Sequence, residues 1–169
     1  GEKLLIRGGT SSVGMMAAQI AKTMGAYVIA TTRNITKEVA LTANGADEVI
    51  IDNGKIADRI KQRHPEGVHK VLELVGTTTL KDSLRCTRPM GIVCQTGILG
   101  NEWVMKEFEP MGDIPPLVRL TIYAGEASNL REHLQVFLEN VAAGKIKINI
   151  DRTFNLEQIV EAHTYMESN

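Results

Sequence analysis

Residues 3–14 constrain this chain more than any other stretch. An apolar run, Lys3-Leu4-Leu5-Ile6-Arg7, feeds into a turn of glycine and small polar residues, Gly8-Gly9-Thr10-Ser11-Ser12-Val13-Gly14. A small-residue helix follows through Ala17, Ala18, Ile20, Ala21 and Met24. Strand, tight turn and helix in that order aim free backbone N–H groups and the positive end of a helix dipole at one point, where a phosphate can bind. In a parallel α/β sheet that phosphate is the pyrophosphate of a dinucleotide. The competing reading is a glycine turn that only packs helix on strand, and the rest of the chain weighs between them.

The chain continues as alternating strands and helices. Tyr27-Val28-Ile29-Ala30-Thr31-Thr32 reads as a second strand, and 36–44 as a helix with Thr36 as N-cap and Gly45 past its end. Glu48-Val49-Ile50-Ile51 is a third strand, and 56–63 a helix stopped by Pro65. A fourth strand over 68–75, a helix over 78–86 and a fifth strand over 91–97 follow. Residues 98–116 carry Gly, Asn, Trp and Pro without a clean period and read as a long loop. A sixth strand, 120–124, precedes a helix with Leu130, Leu134, Phe137, Leu138 and Val141 on one face, ended by Gly144. Such repeated units predict an α/β, Rossmann-type doubly wound sheet of about six parallel strands, covered by helices on both faces. The last segment differs: Ile146, Ile148 and Ile150 alternate, Phe154 follows, and a helix runs from Leu156 to Met166.

Composition narrows the function classes. Of 169 residues 43% are hydrophobic and only 4% aromatic, which gives the aliphatic core that a buried parallel sheet needs. Lys and Arg total 19 against 20 Asp and Glu, a balance that suggests neither nucleic acid nor an anionic membrane as partner. No run approaches the ~20 apolar residues of a membrane span, and no leader precedes the first strand, so the expected compartment is the cytoplasm. Cys86 falls in a helix and Cys94 in a strand, which suits core packing and lacks zinc-site spacing. His64, His69, His133 and His163 are scattered and read as surface or capping residues.

By this point the residues carry a family resemblance. Arg7-Gly8-Gly9-Thr10-Ser11-Ser12-Val13-Gly14 resembles the nucleotide-binding motif of the quinone oxidoreductase branch of the medium-chain dehydrogenase/reductase superfamily. Gly45-Ala46-Asp47-Glu48-Val49-Ile50, Val71-Leu72-Glu73-Leu74-Val75-Gly76 and Gly91-Ile92-Val93-Cys94-Gln95-Thr96-Gly97 extend the resemblance in order along the chain. It implies that residues 1–145 form an NAD(P)-binding domain. Residues 146–169 would then return toward a catalytic domain of GroES-like fold that this chain does not contain. It also implies hydride transfer from NADPH to a quinone, enone or related carbonyl, with the substrate cleft built jointly with that other domain. Family members dimerise through the strand corresponding to 120–124, so a homodimer is expected. An edge strand without charged residues lacks the usual defences against pairing.

The expected cofactor contacts lie at the carboxyl ends of the strands. Gly9, Thr10, Ser11, Ser12, Val13 and Gly14 form the pyrophosphate turn, with Ser11 where the fingerprint has its second glycine. That hydroxymethyl group either crowds the pyrophosphate or donates to it. After the second strand, where an NAD site places an acid, the chain has Thr32, Arg33 and then Lys37. A guanidinium and an ammonium there suit a 2′-phosphate, which predicts NADPH over NADH. Lys37 also falls where quinone reductases carry a phosphate-binding lysine. Asp52 opposes that preference, because the resemblance sets it near the same phosphate. Val75 and Gly76 after the fourth strand, and Thr96, Gly97 and Leu99 after the fifth, complete the set, with an ordinary turn as the competing reading of Gly76. Glu73 lacks a partner acid or His nearby and reads as a structural or lining group. No Cys/His cluster calls for zinc. The loop around Trp103, Met105 and Phe108 lines a substrate cleft or forms a surface lid. A dinucleotide-binding module without chemistry of its own remains the alternative to an oxidoreductase.

Overall fold

In the computed structural model, residues 1–123, 125 and 130–167 are described. Six parallel strands form one sheet in the order β3-β2-β1-β4-β5-β6. They are β1 (Lys3–Arg7), β2 (Tyr27–Thr32), β3 (Glu48–Ile51), β4 (Val68–Glu73), β5 (Thr87–Gln95) and β6 (Arg119–Ile122). The chain winds outward one way from β1 to β3, then returns to β4 on the other side of β1. The crevice outside the carboxyl ends of β1 and β4 is therefore the switch point where such sheets bind ligands.

Strand alternation sends residues to two cores. Leu5, Ile29, Ile50, Val71 and Val93 face α3 (Ala57–Arg63) and α4 (Thr77–Cys86), meeting Ile56, Ile60, Leu80 and Leu84. Ile6, Val28 and Leu74 face α1 (Ser12–Thr23) through Ala18 and Ala21, and Ala30 meets Leu41 of α2 (Glu38–Ala43). Small residues on α1 let that helix lie close to the sheet. Gly45 ends α2 at φ 95°, and the Asp47 carboxylate accepts from the Val28 N–H at 2.8 Å while pairing with Lys22. Part of the Gly-Ala-Asp motif is thus a device for closing the α2–β3 turn onto β2.

Several boundaries depart from expectation. The helix expected over 36–44 is a 3-10 turn, Ile35–Lys37, followed by α2, and its cap is Asn34, which accepts from the Thr36 N–H, not Thr36 itself. β4 ends at Glu73, and one residue later the Leu74 N–H makes a last ladder bond to the Arg7 carbonyl at 3.1 Å. β5 begins at Thr87, since Thr87 pairs with Val68 before the register shifts and Met90 takes φ 65°. The loop 98–116 contains one helical turn, α5 (Pro110–Asp113). Helix α6 (Leu130–Ala142) forms where the period predicts, yet none of its residues is buried, and Leu130, Leu134 and Leu138 stay about half exposed. Ala124 of the expected sixth strand lies outside the described residues, as do 168 and 169.

In the tail, the Ile alternation does not produce a strand among the described residues. Ile146 is buried, whereas Ile148 and Ile150 are exposed. The Gln19 amide of α1 takes the part of a strand peptide: it accepts from the Lys147 N–H at 2.7 Å and donates to the Lys147 carbonyl at 3.0 Å. After a 3-10 turn, Leu156–Gln158, the chain ends in α7 (Ile159–Glu167). Asp151 meets Tyr165, and Arg152 stacks over Phe154 and Tyr165. Among the described residues no helix is long and apolar enough to cross a membrane.

Candidate dinucleotide site at the switch point

The turn between β1 and α1 is held by its own backbone. Gly8 and Gly9 donate to the Thr31 hydroxyl at 3.1 Å and the Thr31 carbonyl at 3.0 Å, which pins the turn to the end of β2. Gly8 has φ 85°, and an added Cβ would meet Leu99, Leu74 and Val75 at 3.1–3.5 Å. The turn therefore touches the segments after β4 and β5. Gly14 allows the helix to approach, since a Cβ there would lie 2.5 Å from the Gly8 carbonyl oxygen and 2.8 Å from Gly9 Cα.

Ser11 settles its own alternative. Its hydroxyl caps α1, accepting from the Gly14 N–H at 3.0 Å and donating to the Gly8 carbonyl at 2.8 Å. The hydroxyl proton is committed inside the turn, so Ser11 is a structural cap. Ser12 and Val13 begin the helix, are exposed, and have no carbonyl behind them to accept from their N–H groups. With Thr10, also exposed, they form a surface of donors at the positive end of a 12-residue helix. A cradle of glycines topped by unpaired N–H groups fits a pyrophosphate.

At the end of β2, Thr32 is buried and its hydroxyl is shared with Asn34. Arg33 and Lys37 are exposed, and among the described residues neither has a carboxylate partner. On the far side, Gly76 and Gly97 pack on each other. A Cβ on Gly76 would lie 3.1 Å from the Gly97 carbonyl oxygen, and one on Gly97 would lie 2.5 Å from that of Leu74. Gly76 also takes φ 103°. Loop-on-loop contact is sufficient reason for both glycines. The Thr96 and Gly97 N–H groups donate to the Glu73 carbonyl, that of Leu99 to Leu74, and that of Gly100 to Val75. Val75, Thr96 and Leu99 thus border the crevice opposite the Gly8 turn.

Beneath the crevice lies an ion network that the sequence did not reveal. Arg7 has no exposed surface. Its Nε and Nη2 fork Asp52 at 2.7 and 2.9 Å, and its Nη1 reaches Asp82 at 2.7 Å and the Ser83 hydroxyl at 3.2 Å. Asp82 in turn accepts from the Ile56 and Ala57 N–H groups and so caps α3 from α4. Burial works against the Arg7 charge, but the two carboxylates outweigh it and hold the guanidinium firmly protonated. Burial would raise Asp52 too, yet Arg7 holds its carboxyl below the usual range.

Glu73 sits next to this network. It accepts from the Val75 and Gly76 N–H groups at 2.8 and 3.0 Å, from the Thr79 hydroxyl at 3.0 Å and from Ser83. Burial raises its pKa despite these bonds. All of these partners serve the turn into α4, so Glu73 is a structural acceptor. His64 pairs with Glu48, and His69 accepts from the Lys3 N–H and contacts Arg88, while His133 and His163 are exposed. Burial pushes the Cys86 thiol up to about 12, as expected of a core thiol. Met105 and Phe108 pack against the α3–α4 core and Trp103 is exposed. A cavity of about 430 Å³ lies within the tail, lined by Arg152, Phe154, Val160, Glu161, Thr164 and Tyr165, away from the crevice.

Sheet order, glycine turn and exposed helix start are those of a dinucleotide-binding α/β fold. The sequence profile described as zinc-binding dehydrogenase matches residues 12–137, well over half the chain, and the chain belongs to that family, as a cofactor-binding domain of its quinone oxidoreductase branch. It is 29% identical to the acryloyl-coenzyme A reductase of Metallosphaera sedula, over 99% of this chain and 48% of the relative. The quinone oxidoreductase of Pseudomonas syringae superposes with a TM-score of 0.84 at 25% identity, over 100% of this chain and 54% of the other. Escherichia coli quinone oxidoreductase, solved with NADPH, has the same fold, with a TM-score of 0.86 at 24% identity over 99% and 54%. The chain spans about half the length of the relatives it matches. Zinc is implied by the family's description, but among the described residues no three His, Cys, Asp or Glu side chains converge as metal ligands.

Proposed function

We propose that this chain is the NADPH-holding half of a reductase acting on a quinone, enone or related activated carbonyl. The observation that carries this reading is the helix start at the switch point, where among the described residues the Ser12 and Val13 N–H groups have no partner above a turn that has no room for side chains at Gly9 or Gly14. In this reading Gly9, Thr10, Ser12, Val13 and Gly14 receive the pyrophosphate, with Ser11 holding the turn in shape. Arg33 and Lys37 take the 2′-phosphate, supported by their exposure and by the absence of an acid between them. Thr32 shapes the strand end beneath them. Val75, Gly76, Thr96, Gly97 and Leu99 wall the far side of the crevice and exclude water there.

The bound nicotinamide supplies hydride, and the chain contributes positioning and a fixed electrostatic setting. The E. coli relative solved with NADPH supports this cofactor, and the acryloyl-coenzyme A and quinone reductases support the substrate class. The acceptor is met by a part of the protein outside residues 1–145, toward which 146–169 leads. The exposed edge strand β6, with Ile122 at its end and Tyr123 just past it at least half exposed, supports a homodimer formed edge to edge.

Calorimetric titration with NADPH and NADH tests the cofactor assignment. NADPH should bind more tightly, and Arg33→Ala should narrow the gap by roughly tenfold, the worth of a charge-assisted phosphate contact. Equal affinities in the parent chain would sink the assignment.

A further inference from the structure

In the reading of Arg33 and Lys37 as the 2′-phosphate site, a free carboxylate at Asp52, on the neighbouring strand end, would oppose NADPH binding. The Asp52 N–H donates to the Thr32 carbonyl at 2.7 Å, one residue before Arg33. A free charge there would repel a 2′-phosphate and would accept a hydrogen bond from a 2′-hydroxyl, as the acid of an NAD site does. The Asp52 carboxylate is not free. Arg7 forks both its oxygens, the Gly54 N–H donates to Oδ1 at 2.8 Å, and the side chain is 8% exposed. Its acceptor capacity is directed inward, away from the crevice.

Arg7 cannot serve the ligand directly. It is wholly buried, and its Nη1 is engaged by Asp82, Ser83 and the Thr79 carbonyl. We propose that Arg7 is a specificity-determining positioning residue: by holding Asp52 inside the fold, it masks the carboxylate that would otherwise turn the site from NADPH toward NADH. This rests on the reading of Arg33 and Lys37 as the 2′-phosphate site. Two exposed cations then act on the phosphate without an opposing charge from the neighbouring strand end. The network also explains why a chain with an acid at this place can lack one at the end of β2.

Calorimetric titration of the chain and its variants with NADPH and NADH tests the proposal, with thermal unfolding as the check on folding. Arg7→Gln should lower the ratio of NADPH to NADH affinity roughly tenfold, by releasing a charge beside the phosphate. Adding Asp52→Asn to that variant should restore the ratio. Asp52→Asn alone should leave the ratio within about threefold of the parent, because the charge it removes is already masked. A larger gain in NADPH preference from Asp52→Asn alone overturns the proposal, whether or not Arg7→Gln folds. A folded Arg7→Gln variant with the parent's ratio overturns it as well. A parent chain that binds both cofactors equally refutes the 2′-phosphate reading itself, which separates that failure from failure of the masking.

Discussion

Gly14→Ala sets two effects of opposite sign against each other, and the structure decides between them. Gly14 is the third residue of α1, where alanine should favour the helix by about 1 kcal/mol. Its added methyl would lie 2.5 Å from the Gly8 oxygen and 2.8 Å from Gly9 Cα and from the Gly9 oxygen, all of them backbone atoms. Relief to an ordinary contact needs a movement of roughly 1 Å. The turn cannot retreat, because Gly8 and Gly9 are bonded to Thr31, and a Cβ on Gly9 would already sit 3.0 Å from Ala30. The helix must move instead, at an overpacking cost of about 1–3 kcal/mol. The net loss of stability is then about 0–2 kcal/mol, but the Ser12 and Val13 N–H groups travel with the helix. Two charged hydrogen bonds at about 1.5–3 kcal/mol each are put out of reach, so cofactor affinity should fall at least roughly a hundredfold. Denaturant unfolding and calorimetric titration read the two quantities separately. Gly25→Ala is the control: nothing lies within 4 Å of its added methyl, its φ of 78° costs about 1–2 kcal/mol, and affinity should not change. A Gly14→Ala chain that is more stable and binds as before would refute the close approach.

Three further outcomes are expected. Glu73→Gln should cost less than about 1 kcal/mol at neutral pH, because burial already disfavours the charge and the amide keeps an acceptor for Val75, Gly76 and Thr79; Glu73→Ala should cost about 2–4 kcal/mol in denaturant unfolding. Asp52 has a depressed folded pKa, so its stabilisation is complete above pH ~4 and is lost as pH falls through the lower folded value; Asp52→Asn should flatten that acid limb, and an unchanged limb would refute the Arg7 pairing as its cause. Sedimentation should show a dimer that Ile122→Pro converts to monomer, since proline cannot donate to a ladder, and a parent chain monomeric at high concentration would refute the edge contact.

What the sequence disclosed was what is local. The run Leu4–Ile6 followed by the glycine turn needs no distant partner, and neither does the 27–32 strand, so both could be read directly. Asn34 and Thr36 are both residue types that cap helices, and only the Ile35–Lys37 turn selects Asn34. The early start of β5 is hidden from a local reading because Pro89 interrupts the strand pattern, whereas Thr87 pairs with Val68 across the sheet. The period of α6 was legible, but a period reports which face is apolar and not whether anything covers it. The site divides the same way. Gly9 and Gly14 announced themselves by spacing, while the Arg7 network joins residues 45 and 75 positions apart and carries no local signature.

The bonds from Thr96, Gly97, Leu99 and Gly100 to the carbonyls after β4 have a kinetic consequence. They join the two segments on the far wall into a single stiff ledge, with Gly76 and Gly97 in contact at its centre. The position of this wall is then tied to the folding of the sheet itself. If this wall receives a dinucleotide as proposed, capture there should be a one-step encounter whose observed rate rises in proportion to concentration, and a rate that levels off would refute the rigid wall. Selectivity at this wall belongs to a rigid mould, and any hinge that admits or releases the ligand must lie elsewhere.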